Sequence, residues 1–376
     1  MASCGRVALG LPARLWGRLT HRPVPMRVAN PPQDAILPHI RAPLERDRHD
    51  MLPLNSKRGT MQRRTFLKST LLAAAAPRAW SQTEPVWGGP VLDTHLHLRR
   101  DADACFTHIQ GCGVTHAVLL TMANDEERAK REMEKRPGRF ARSVAADPAG
   151  ADAVRVFRDA LNAGAVSMGE LKYHLALDSP EMRRVYDISA EMQVPVMMHI
   201  QNFPHFQGEL PYNTGYPQFD KILKAYPKTI FIGHADLFWA HISADVPTDR
   251  GYPAGPVKPG GLTDRFLADF PNLYADMSAN SGNNALSRDA DFSRDFIVRH
   301  RSKLIFGSDC SCTDGNGAGI SQGNNPEAAR LQGKCVARAT LGLLKQLTTP
   351  EIFRQVTWEN GTRLFKLHFQ YPLSPA

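Results

Sequence analysis

The segment His95-Leu96-His97 offers the first chemistry in this sequence. Side chains on a β-strand repeat every second residue, so both imidazoles project from one face. Two neutral imidazoles so placed suit a borderline divalent metal such as Zn2+, at about 2.0–2.1 Å. A lone H-x-H pair is a weak signal that more often marks two ordinary hydrogen-bonded histidines, and the wider pattern separates these readings. His95 and His97 close one apolar run, Glu170 lies near the end of another, and His199, His234 and Asp309 each end one more. A polar group in the middle of a buried strand needs a partner, whereas at its end it can face an opening. Structural histidines would be scattered among faces and loops. The joint placement therefore points to a metal centre holding one or two divalent ions, with Zn2+ the first candidate.

Eight apolar segments would carry these residues: 91–97, 115–121, 140–146, 165–171, 194–200, 229–235, 273–278 and 303–309. Amphipathic helical patterns lie between them, among others at 152–163, 180–192 and 288–301, and two more follow at 326–347 and 350–365. Eight strands, each followed by a helix, predict an α/β protein of the (β/α)8 TIM-barrel class, over 85–370. A doubly wound open sheet shares the alternation, but no G-x-G-x-x-G follows the first strand. Two connections exceed the usual few residues, 236–260 with Phe238, Trp239, His241 and Tyr252, and the Gly-, Ser- and Asn-rich 310–325. Both follow strand C-terminal ends, where substrate-facing loops belong, and are expected to wall the site.

The formal charge of +9 invites a nucleic-acid partner, yet residues 1–80 hold 14 basic against 4 acidic residues, leaving 32 and 33 beyond. A near-neutral body offers no basic binding face, so nucleic acid is not expected. No apolar run reaches the roughly 18 residues of a membrane span, so no stable membrane anchor is expected. Gln62-Arg63-Arg64-Thr65-Phe66-Leu67-Lys68 resembles the twin-arginine export signal and is followed by a short apolar run and small residues at 79–81. That resemblance implies a signal peptide over 61–81, handling by the twin-arginine machinery and a periplasmic or otherwise exported mature chain. Residues 1–60, Arg- and Pro-rich without sustained periodicity, read as a disordered leader or an extension upstream of a true start at Met61. Five of the six cysteines (Cys105, Cys112, Cys310, Cys312 and Cys335) follow the signal. An odd number without a C-x-x-C pair excludes a fully paired disulfide framework, and buried free thiols are expected. The sequence is compatible with a homo-oligomer.

The histidine and aspartate pattern resembles the amidohydrolase superfamily, whose barrels place H-x-H on strand 1, single histidines on strands 5 and 6 and an aspartate on strand 8. The resemblance spans about residues 90–367, and Asn360-Gly361-Thr362-Arg363-Leu364-Phe365 is similar to the N-x-x-R-L-F close of the amidohydrolase-2 branch. It implies His95, His97, His199, His234 and Asp309 as metal ligands. Glu170 resembles the Gly-Glu of TatD-type hydrolases, where the carboxylate contacts two metals. Lys172, of the same parity, resembles the carboxylated lysine of other branches; it also suits a cation for a substrate carboxylate or phosphate, or a plain ion pair with Glu170. Members nearest the aromatic decarboxylases hold one metal and lack such a glutamate.

A bound Zn2+ would lower the pKa of its water to about 7. Asp309 would then orient that water, accept its proton as general base and return it to the leaving group. The expected activity is hydrolysis of an amide, lactone or ester in a small molecule. The alternatives are decarboxylation of an aromatic or dienoic acid on the same barrel, and a non-catalytic exported binding protein. His174, Asn202, Trp239 and Asp276, near strand ends, are candidate substrate contacts, in competition with ordinary loop hydrogen bonding. Ser278, His205 and Asn280 lie in the same surroundings.

Overall fold

The computed structural model describes residues 85–101, 103–205, 208–247, 251–318 and 328–371. The expected leader (1–60) and export signal (61–81) lie outside these residues, as does part of the 310–325 connection.

All eight expected strands form: β1 Leu92–His97, β2 His116–Leu120, β3 Phe140–Arg142, β4 Met168–Leu171, β5 Pro195–His199, β6 Ile230–His234, β7 Leu273–Asp276 and β8 Leu304–Ile305. Neighbours pair in parallel within two ladders, β1-β2-β3 and β4-β5-β6-β7-β8. Backbone hydrogen bonds join the ladders at both seams. Val166 N–H donates to Arg142 O (2.9 Å) and Gly169 N–H to Val144 O (2.7 Å) between β3 and β4. Thr94 N–H donates to Phe306 O (3.0 Å) and Asp309 N–H to His95 O (2.8 Å) between β8 and β1. The sheet therefore closes on itself, which decides for the barrel over the open sheet. β3 and β8 are shorter than the 140–146 and 303–309 expected. At the rim the backbone leaves the ladder and finds side-chain acceptors instead, as where Ser308 N–H donates to Asp93 Oδ1 at 2.8 Å.

Period two sorts each strand into an outward apolar face and an inward face that changes character along its length. Leu92, Val118, Leu120, Ala141, Met197, Ile232 and Ile305 form an apolar cluster that Leu364 and Phe365 of the C-terminal segment join. Two residues further along their strands, about 6.6 Å at a strand's rise, Met197 gives way to His199 and Ile232 to His234. The same spacing takes the partly buried Tyr274 to Asp276. In β1 the register shifts between Asp93 and Leu96. That irregularity lets Leu92 face the inner cluster, Leu96 the outer layer, and His95 and His97 the mouth.

The outer layer is α1 Ala104–Cys112, α2 Glu126–Lys135, α3 Ala153–Asn162, α4 Pro180–Met192, α5 Phe219–Ala225, α6 Asp236–Ala240, α7 Leu262–Asp269, α8 Ala279–Ser287, α9 Ala290–His300, α10 Val336–Leu347, α11 Pro350–Arg354 and α12 Asn360–Leu364. A π-helical turn over Gln355–Glu359 joins the last two. Helix starts follow capping chemistry: Ser179 accepts from Met182 N–H with Pro180 in the first turn of α4, and Asp289 accepts from Phe292 N–H at α9. The 236–260 connection differs from expectation, because it opens with α6, whose Leu237, Phe238 and Trp239 are all buried in the core. No helix of the described residues is long and apolar enough to cross a membrane.

Candidate metal centre

The strand ends bring His95, His97, Glu170, His199, His234 and Asp309 to one place at the mouth of the barrel. Glu170 is at its middle, 7% exposed, with each carboxylate oxygen turned to a different pair of imidazoles. Its Oε2 lies 3.2 Å from His97 Nε2 and 3.7 Å from His95 Nε2. Its Oε1 meets His199 Nδ1 and lies 3.2 Å from His234 Nε2. Asp309 faces the same space from the far side, its Oδ1 3.4 Å from His97 Nε2 and 3.8 Å from His95 Nε2, its Oδ2 3.8 Å from His234 Nε2. Asp309 itself adopts φ of +44°, a left-handed backbone that aspartate tolerates better than most residues.

Each buried ring is held from behind. Asp276, at the end of β7 and fully buried, accepts from His95 Nδ1–H at 2.6 Å and from Ser278 Oγ–H at 2.5 Å. His234 Nδ1–H donates to Ser278 Oγ at 2.8 Å. With both Nδ1 atoms so occupied, the Nε2 lone pairs of His95 and His234 point to the centre, and these two buried atoms have no hydrogen-bond partner. His199 is held in the opposite sense: its Nε2–H donates to Gln201 Oε1 at 2.7 Å, leaving Nδ1 for the centre. Gly307 makes this packing feasible. A Cβ there would meet Asp276 Oδ1 at 2.4 Å and His95 Cβ at 2.6 Å.

Orphaned imidazole nitrogens converging with two carboxylates are a nitrogen and oxygen donor set that fits a borderline divalent ion. Charge agrees with this reading. Burial opposes protonation of His95, but Asp309 and Asp276 outweigh it and push its pKa up to about 10. His234 likewise rises to about 10 through Asp276 and Glu170, and His97 to about 9 through Asp309 and Glu170, both against burial. The same contacts hold the carboxyls of Glu170, Asp309 and Asp276 below their ordinary range, again against burial. The mouth thus concentrates negative charge that attracts cations, protons or metal. His199 alone moves the other way, to about 4, because burial there outweighs Glu170.

The remaining expected contacts are distributed differently. Asp276 is enclosed behind the imidazoles, where it orients rings rather than facing an opening. Trp239 is 1% exposed, and its indole N–H donates to Asp276 O at 2.9 Å, so it supports the site from the core instead of walling it. Asn202 Oδ1 accepts from Thr214 N–H and Oγ–H at 3.2 and 3.3 Å, tying down the loop after β5. His174 stacks on Tyr212 with ring centroids 3.9 Å apart, and Lys172 Nζ lies 5.8 Å from that same ring. These three form a rim beside His199, whose ring centroid is 6.3 Å from that of Tyr212. Sequence reasoning passed over Gln201 and weighed Ser278 only between loop hydrogen bonding and substrate contact. Both sit two residues beyond a polar strand-end residue on the same face, and that parity was the available signal.

A closed (β/α)8 cylinder with histidines and carboxylates gathered at the C-terminal ends of its strands defines a metal-dependent barrel enzyme. The chain belongs to the amidohydrolase family, whose model matches residues 98–367, well over half of the sequence. Solved structures of similar fold include a dihydroorotase from Campylobacter jejuni, at 15% identity and TM-score 0.45 over 75% of this chain and 84% of that one. A probable 2-pyrone-4,6-dicarboxylic acid hydrolase from Acinetobacter baumannii is 12% identical, TM-score 0.48, over 74% and 99%. A 2,6-dihydroxybenzoate decarboxylase from Rhizobium is 14% identical, TM-score 0.42, over 74% and 98%. No curated protein matches the sequence. The protein is an enzyme of the metal-dependent amidohydrolase superfamily.

Proposed function

We propose that the enzyme hydrolyses an amide, lactone or ester bond in a small molecule, using two divalent ions held at the barrel mouth. The observation that carries this reading is the division of Glu170 between two imidazole pairs, Oε2 toward His95 and His97 and Oε1 toward His199 and His234. With one oxygen turned to each pair, Glu170 would help the imidazoles and Asp309 hold a second ion beside the first. When bound, the ions supply Lewis acidity toward a carbonyl and make an attacking water acidic near neutral pH.

The chain's own groups do the rest. Asp309, 28% exposed and ionised, is placed to accept a proton from the attacking water at its carboxylate and return it to the departing oxygen or nitrogen. Asp276 and Ser278 keep His95 and His234 in the tautomer that presents Nε2. Lys172, at the rim near His199 and Tyr212, is a cation suited to a substrate carboxylate.

The test is elemental analysis of wild type and Glu170→Gln, purified without chelator, together with a panel of lactones, esters and amides and an assay for CO2 release. Two ions per chain over and above any held by cysteine, with loss of an ion and of hydrolysis together in the variant, is the expected result. A single mouth ion retained by the variant, with CO2 release from an aromatic acid, would replace hydrolysis with decarboxylation.

A further inference from the structure

The five described cysteines are all unpaired and buried, and three of them share one place. Cys310 and Cys312 in the loop leaving β8, Cys335 at the start of α10 and His108 on α1 meet in one place, their ligand atoms all within 4.8 Å of one another. Cys310 Sγ lies 3.4 Å from Cys312 Sγ and 3.9 Å from Cys335 Sγ, and Cys312 Sγ is 3.4 Å from His108 Nδ1. Four ligands at tetrahedral angles around zinc, with Zn–S near 2.3 Å and Zn–N near 2.0 Å, stand about 3.8 Å apart between sulfurs and about 3.5 Å between sulfur and nitrogen. The two sulfur–sulfur spacings bracket the first value, and the sulfur–nitrogen spacing falls within about 0.1 Å of the second.

The surroundings are built to keep these side chains together. α1 and the loop meet backbone to backbone at two glycines. A Cβ on Gly111 would meet Asp314 O at 1.8 Å, and one on Gly315 would meet Cys112 N at 2.3 Å. Arg99 donates to Cys310 O at 2.7 Å and to Ser311 O at 3.1 Å. Arg338 donates to Gly315 O at 2.9 Å and also to Gly111 O. Two guanidinium groups therefore brace the backbone around a cluster that would carry one net negative charge with three thiolates and a Zn2+. His108 and Cys312 are wholly buried, Cys335 is 3% exposed and Cys310 5%, so four protein ligands close the position with no opening for substrate.

We propose that His108, Cys310, Cys312 and Cys335 form a closed structural zinc site, independent of the barrel mouth. It joins α1, the β8 exit loop and α10, and so fixes the loop immediately following Asp309. Cys112 Sγ, 3.9 Å from His108 Nε2, backs the ligand ring without being a ligand.

Among the described residues the candidate ligands at the mouth are all imidazoles and carboxylates, so sulfur coordination reports on this site. Zinc-edge X-ray absorption of the zinc-loaded wild-type chain should show sulfur scatterers near 2.3 Å. The cobalt-loaded wild type should show sulfur-to-cobalt charge-transfer bands with the intense visible absorption of a tetrahedral ion. Those bands should persist in His97→Ala, which alters only the mouth, and vanish with one equivalent of metal in Cys312→Ser. Should the cysteine variant fail to fold, the wild-type spectra and native alkylation decide by themselves: zinc loading should protect Cys310, Cys312 and Cys335 from iodoacetamide, and chelation should expose them. Only nitrogen and oxygen scatterers, absent charge-transfer bands, or a peptide map with a disulfide among these cysteines would overturn the proposal.

Discussion

Two clusters of candidate metal ligands, one at the strand ends of the mouth and one joining α1, the loop leaving β8 and α10, differ in nearly every physical respect. The mouth cluster is built of imidazole and carboxylate, carries two residues that reach solvent, His97 at 40% and Asp309 at 28% exposure, and has its rings oriented by Asp276, Ser278 and Gln201. The cluster behind α1 is built of thiols and one imidazole, is buried throughout and is braced by glycine contacts and arginines on backbone carbonyls. An enzyme needs a ligand position left open for water and substrate; a brace needs none. The contrast teaches that, within one chain, donor softness and enclosure divide the work of chemistry from the work of holding a loop.

The contrast breaks most visibly at Asp309. Asp309→Asn should lower turnover by about 10²–10⁴-fold, while the cobalt–sulfur bands of the thiol cluster stay unchanged. Loss of those bands in this variant would show the two clusters to be one coupled unit.

Protons sharpen the difference next. In the metal-free enzyme His95 and His234 are pushed up to about 10 and His97 to about 9, so at neutral pH they hold protons that an incoming ion must displace. Affinity of the mouth for zinc, followed by competition with a chromogenic chelator, should climb by about tenfold or more per pH unit from pH 7 and level off beyond roughly pH 10. The sign for stability is the opposite. A histidine raised above its ordinary 6.5 contributes stability that is complete below that pH and is lost as the pH rises through about 9 to 10. The metal-free barrel should therefore melt lower at pH 10 than at pH 6.5, and an unchanged Tm would contradict the charge balance described for the mouth.

Smaller effects test the packing. Gly307→Ala places a methyl group against Asp276 and His95. It should destabilise the fold by about 1–3 kcal/mol in urea melts and weaken mouth metal binding, with the sulfur cluster unaffected. Trp239→Phe removes the indole donor to Asp276 O and should cost about 1 kcal/mol. Because the ring is enclosed, KM should hardly move; a large rise in KM would return Trp239 to the substrate wall.

Much of this architecture was legible in the residues alone. Eight apolar segments with polar ends are enough to place eight strands, and Ser179-Pro180 marks the start of α4 because capping is a local event. What was less legible depends on which way a polar strand-end residue turns. Asp276 and His234 look alike in sequence, yet His234 meets the centre and Asp276 the back of a ring, and only the closed barrel separates them. The aromatic run Phe238-Trp239 resembled a loop wall because length and composition do not reveal that α6 folds inward. The thiol cluster was invisible for a different reason. Its histidine and Cys312 are 204 residues apart, and no spacing rule spans elements that meet only when β8 closes against β1.

The hydrogen bond from Asp309 N–H to His95 O has a mechanical consequence. It couples the backbone of the proposed proton acceptor directly to that of a ring-bearing strand, so thermal displacement of one segment is shared by the other and their separation is buffered against drift. Ion retention and turnover should then fail together on heating, at one temperature, instead of activity fading while the ions stay put.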